Sequence, residues 1–105
     1  MIWTEPALKE LDAIADYIAL DNPAAARELV QRVFRHVEQL ISHPNSGSKL
    51  VELRGWRYRQ IVEPPCRIFY RGEPDWVYVL YVTRRERPVR KTSLAERDRS
   101  KKKAK

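Results

Sequence analysis

Arginines set among aromatic residues on strand-like segments are the part of this sequence best suited to chemistry. Arg57-Tyr58-Arg59-Gln60-Ile61-Val62 and Arg67-Ile68-Phe69-Tyr70-Arg71 carry them. Guanidinium groups on rigid strands can grip phosphates or carboxylates in a fixed, two-pronged geometry. Period-two alternation puts Arg67, Phe69 and Arg71 on one face and Cys66, Ile68 and Tyr70 on the other, the second set belonging to the core. Arg67 stands out, because a mid-strand guanidinium with apolar neighbours must either face a concave site or pair with a carboxylate such as Glu52 or Glu63. Thr83-Arg84-Arg85-Glu86-Arg87 closes the last strand, so Arg84 and Arg85 emerge at a sheet end and are binding candidates. From Arg90 onward the charges read as a solvated run.

The other pieces of catalysis are scarce. His36 falls on a helix and His43 in the turn that ends it, so both read as structural rather than as general bases. There is no glycine-rich phosphate loop, no paired-carboxylate spacing and no metal-ligand cluster, so no cofactor is expected. Arginines alone could stabilise a phosphoryl transition state electrostatically, but proton transfer would lack an agent. Cys66 is the only cysteine. It cannot form an internal disulfide and reads as a small buried residue.

The charge is unevenly distributed. Residues 53–105 hold 16 Lys/Arg against 6 Asp/Glu, whereas residues 1–52 hold 5 against 8. A chain of 105 residues with 43% hydrophobic content supports one modest core. Residues 1–88 read as that single domain. Residues 89–105, rich in Lys and Arg, read as a basic tail that is mobile when nothing is bound to it. No apolar run is long enough to span a membrane and the N-terminus lacks a signal-peptide layout, so a cytoplasmic protein with no membrane contact is expected.

The elements that must position the arginines are legible in outline. Ile2-Trp3 reads as a short strand, followed by Thr4 as a helix cap with Pro6 in the first turn. Leu8, Leu11, Ile14, Ala15 and Ile18 follow at helical spacing. Asp21-Asn22-Pro23 ends that helix and starts another, whose apolar stripe runs through Ala26, Leu29, Val30, Val33, Phe34, Val37, Leu40 and Ile41. Pro44, Asn45 and Gly47 stop it. Strands then follow over Arg57–Glu63, Cys66–Arg71 and Trp76–Thr83, separated by Pro64-Pro65 and Gly72-Glu73-Pro74-Asp75. The last strand is apolar on both faces, which suits an interior position and requires cover on each side. The order is β-α-α-β-β-β: an α+β fold in which a short strand and a helical hairpin pack on a small, mainly antiparallel sheet.

Several strings resemble the RelE/ParE superfamily of type II toxin–antitoxin toxins. Trp3-Thr4-Glu5-Pro6-Ala7-Leu8, Ile14-Ala15-Asp16-Tyr17-Ile18-Ala19 and Asp21-Asn22-Pro23-Ala24-Ala25-Ala26 are similar to the ParE branch. Leu53-Arg54-Gly55, Arg67-Ile68-Phe69-Tyr70 and Arg84-Arg85-Glu86-Arg87 are shared more widely across the superfamily. The ParE resemblance implies a non-enzymatic poison of DNA gyrase; the basic end of the sheet then makes Arg84, Arg85 and Arg87 the target-binding candidates. The RelE resemblance implies a ribosome-dependent mRNA endoribonuclease, with Arg59, Arg67 and Arg85 holding the scissile phosphate. Arg67 and Arg85 match that branch's arginine positions, but its lysine positions fall on Tyr58 and Gln60, and no tyrosine or histidine follows Tyr81. The pattern therefore leans toward ParE. Either branch implies a cognate antitoxin with an acidic, amphipathic segment that lies along the hairpin and the sheet and can add to a sheet edge.

Overall fold

The computed structural model describes residues 1–49, 58–73, 76–84 and 89–100. Strand β1 (Ile2–Trp3) leads into helix α1 (Glu5–Ala19), and α2 (Pro23–Ser42) completes the hairpin. Strands β2 (Ser48–Lys49), β3 (Tyr58–Glu63), β4 (Cys66–Glu73) and β5 (Trp76–Arg84) follow, and helix α3 (Lys91–Ser100) ends the chain's described part. The caps are those the sequence promised. Thr4 Oγ1 accepts the Ala7 N–H at 3.3 Å, and Asn22 Oδ1 accepts the Ala25 N–H at 3.0 Å. Each satisfies a donor at a helix start that has no partner within the helix, a contribution of about 1 kcal/mol.

Among the described residues the sheet has five strands in the order β1-β5-β4-β3-β2. β1 runs parallel to β5, through Ile2 opposite Tyr78 and Trp3 opposite Val79, and the other neighbours are antiparallel. The α+β class and the mainly antiparallel sheet are as read from the sequence, and β5 is interior, between β1 and β4. β2 was not anticipated. It is two residues long, too short for alternation to register.

One sheet face packs on the hairpin. Leu11, Leu29, Val33, Val37 and Leu40 meet Ile61, Cys66, Ile68, Tyr70, Val77, Val79 and Val82 in the main core. Gly47 lies where a side chain could not. A Cβ there would collide with the Tyr70 ring and the Gln60 carbonyl, because the buried Tyr70 hydroxyl accepts the Gly47 N–H at 2.9 Å and donates to Pro44 O at 2.7 Å.

The opposite face is covered by the segment read as a mobile tail. Residues Lys91–Ser100 form α3, and Val89 and Leu94 pack with Tyr58, Phe69 and Leu80 in a second core. A register shift between Phe69 and Tyr70 contributes to this face. Phe69 pairs with Tyr81 but Tyr70 with Val79, so Leu80 is the extra residue and turns toward α3. The sequence reading required something to cover this face. Residues 91–100, expected from composition to belong to a tail, form a packed helix: composition counts apolar residues, and α3 docks with few of them, its Asp98 and Arg97 bound to Arg71 and Glu10.

Candidate functional site

The arginine cluster resolves into three settings. Arg71 is 2% exposed, its guanidinium fixed by Asp98 of α3, with Nε 2.9 Å from Oδ2, and by Glu73. It also lies over the Tyr78 ring, 4.6 Å from the centroid. Burial works against its charge, but Glu73 and Asp98 more than compensate, and its pKa is held above the ordinary arginine value. Asp98 accepts a second bond from the Tyr58 hydroxyl at 3.2 Å. Arg71 is thus a structural clasp between the sheet and α3.

Arg67 and Arg59 part company. Arg67 is half-buried on the α3 side, where its Nε donates to Gln60 Oε1 at 2.8 Å and its guanidinium lies 4.9 Å from the Phe69 centroid. Arg59 pairs in register with Tyr70, a residue of the hairpin-side core, and its Nη1 donates to Gly47 O at 2.9 Å. The two guanidiniums leave opposite faces of the sheet and do not converge on one phosphate. Glu63 also faces the hairpin, bound by Arg32 at 3.4 Å and by His36 Nδ1 at 2.8 Å. That contact gives His36 the structural place its helical position suggested. Glu52 lies outside the described residues.

Arg84 is the third setting. It stacks on Tyr17 of α1, 4.8 Å from the ring centroid, at the end of β5. Arg85 and Arg87 lie outside the described residues. α1 and the outer edge of β5 border a groove of about 600 Å³, lined by Ala13, Ile14 and Tyr17 on one wall and Tyr81, Val82 and Arg84 on the other. Pro65 and Ile18 extend it past Arg84. Tyr17 is 62% exposed, so the groove's rim carries an aromatic face and a cation together.

Cys66 is fully buried, as the strand pattern indicated. Burial pushes its thiol up to about 11, against the opposing pull of Arg32 and Arg84. Among the described residues no group of three His, Cys, Asp or Glu side chains is placed to hold a metal ion, and no helix is long and apolar enough to cross a membrane.

Residues 1–89 match the family described as "ParE toxin of type II toxin-antitoxin system, parDE". The chain belongs to the ParE toxin family. This ParE-family chain is 44% identical over 73 residues to "Putative toxin Y4kP" of Sinorhizobium fredii (strain NBRC 101917 / NGR234), across 70% of this chain and 75% of that protein. Its fold is similar to a chain of the "Chromosomal ParDE TA system from P. aeruginosa", with a TM-score of 0.63 over 78% of this chain and 90% of that one, at 24% identity. The ParE match stops at Val89, just short of α3.

Two features of this ParE-family fold escaped the sequence reading. Glu10 of α1 grips Arg97 of α3 with both oxygens, at 2.7 and 3.0 Å, and Asp98 anchors Arg71. The only signal for Asp98 was an acid within a basic run. Glu10 gave none, because its partner is 87 residues away.

Proposed function

We propose that this ParE-family toxin arrests growth by inhibiting DNA gyrase in the cytoplasm, without a reaction of its own, and that a cognate antitoxin neutralises it. The family match over residues 1–89 carries the reading. The separation of Arg59 from Arg67 across the sheet supports it, since a phosphate-cutting site would need them on one side. Arg84, with Arg85 and Arg87 beyond it in sequence, supplies the target-facing charge at the sheet end.

The test is a gyrase assay with purified chain, ATP and plasmid DNA, scoring loss of supercoiling and accumulation of linear, protein-linked DNA. The expected result is trapped cleavage product that falls at least tenfold when Arg84, Arg85 and Arg87 are changed together to Glu. Normal supercoiling beside an active control inhibitor would overturn the gyrase reading. Cuts in A-site mRNA on programmed ribosomes would then replace it.

A further inference from the structure

α3 has 10 residues, too few to hold a helix in water alone. Among its described residues Leu94 is the one that enters the core beneath it. Charged groups with fixed partners do most of the fastening. Asp98 meets Arg71 Nε at 2.9 Å and accepts from the Tyr58 hydroxyl at 3.2 Å. Arg97 donates to both oxygens of Glu10 and, at 3.0 Å, to Leu80 O, and its guanidinium lies 3.9 Å from the Tyr81 centroid. Glu10 in turn accepts the Val82 N–H at 3.0 Å, so this pair also covers part of the outer β5 edge.

The surface under α3 is therefore selective. It takes a helix with Leu, Arg and Asp at i, i+3 and i+4, and offers each its own partner: Phe69 and Leu80, Glu10, and Arg71 with Tyr58. Leu94, Arg97 and Asp98 meet that specification, and every copy of the chain carries them. An α3 that lifts off loses the support for its helix and bares the apolar surface of Phe69 and Leu80 to water. Two opened copies remove both defects by trading helices, since each contact made within one chain can be made between two. Only four residues, 85–88, separate Arg84 at the end of β5 from Val89, and a short connection is the kind across which identical elements exchange. We propose that α3 exchanges between two copies of this chain, giving a dimer in which each sheet is covered by the other copy's helix. Monomer and dimer share the same contacts, so protein concentration selects between them. The exchange is independent of the gyrase reading.

A pair of charge-reversed full-length chains tests this. Glu10→Arg and Arg97→Glu each place like charges together within one chain, but when the two variants are mixed an exchanged dimer matches opposite charges at both seams. Light scattering on a sizing column should show the parent passing from monomer to dimer as concentration rises. The mixture should dimerise at a concentration at least tenfold lower than either variant alone, and a chain carrying both changes should behave as the parent. Leu94→Glu should abolish the dimer. A mixture that stays monomeric while both variants keep the parent's circular dichroism would overturn the exchange, and so would a dimer that survives Leu94→Glu, which would join the copies elsewhere. If charge reversal prevents folding, Arg97→Lys serves instead: light and ¹⁵N-labelled chains are concentrated together, and a carbodiimide links the Glu10 carboxylate to the new amine. Links joining light to heavy chains are expected, and links confined to chains of one label would overturn the proposal.

Discussion

Arg71 and Asp98 form the pair on which the C-terminal part of the molecule depends. Both are nearly free of solvent contact, at 2% and 8% side-chain exposure. Removing one partner of such a pair leaves an uncompensated buried charge, which is costly. Glu73 retains part of the compensation for Arg71, so Asp98→Ala should lower unfolding stability by about 2–3 kcal/mol rather than by the full value for an isolated pair. Urea denaturation would read this as a lower midpoint, and an unchanged midpoint would contradict the clasp. At Cys66 the consequence runs through pH. The folded chain holds the thiol near 11 against an ordinary value of 9.0, so the protonated form is favoured by folding. Its contribution is complete below pH 9 and is lost as pH rises toward 11, a loss of about 3 kcal/mol when fully developed. A thiol reagent at pH 7.5 should therefore leave Cys66 unmodified until the chain unfolds.

At the scale of elements, α3 is fastened unlike α1 and α2. The hairpin helices bury continuous apolar stripes, whereas among the described residues of α3 Leu94 alone belongs to the core beneath it, while Asp98 and Arg97 bind the sheet and α1. Leu94→Glu in the full chain should release α3 while sparing the hairpin-side core. The expected signs are increased binding of an apolar dye over Phe69 and Leu80, faster exchange across residues 91–100, and little change near Leu29 and Val33. Uniform loss of protection throughout the chain would show instead that both cores fold as one unit. The same contrast explains what could be read in advance. Helical period and capping residues encode α1 and α2 locally, and alternation sorted Cys66, Ile68 and Tyr70 from Arg67 and Phe69 correctly. Neither signal exists for α3, which is specified by partners far away in sequence, nor for the two-residue β2. The candidate site was legible to the same extent. Arg84 could be placed at a sheet end, but the opposed directions of Arg59 and Arg67 needed the register of β3 on β4, and the covering role of Glu10 needed its distant partners.

The whole molecule is organised around a shared seam. Negative charge in the first half and positive charge in the second meet where Glu10 of α1 binds Arg97 of α3, beside the edge of β5. β1 occupies the far end of that edge: the first residues of the chain find their strand partner in Tyr78 and Val79, and Thr4 bonds Val79 across 75 positions. Such pairing between distant residues makes folding wait on chain length. During synthesis the hairpin can form early and β3 and β4 supply part of the sheet it lies on, yet β1 has no strand partner until β5 is available, and the Glu10–Arg97 contact must wait longer still. A nascent chain that stops before Trp76 therefore lacks the strand to which its own N-terminus pairs, and an interrupted message yields a fragment without the complete fold.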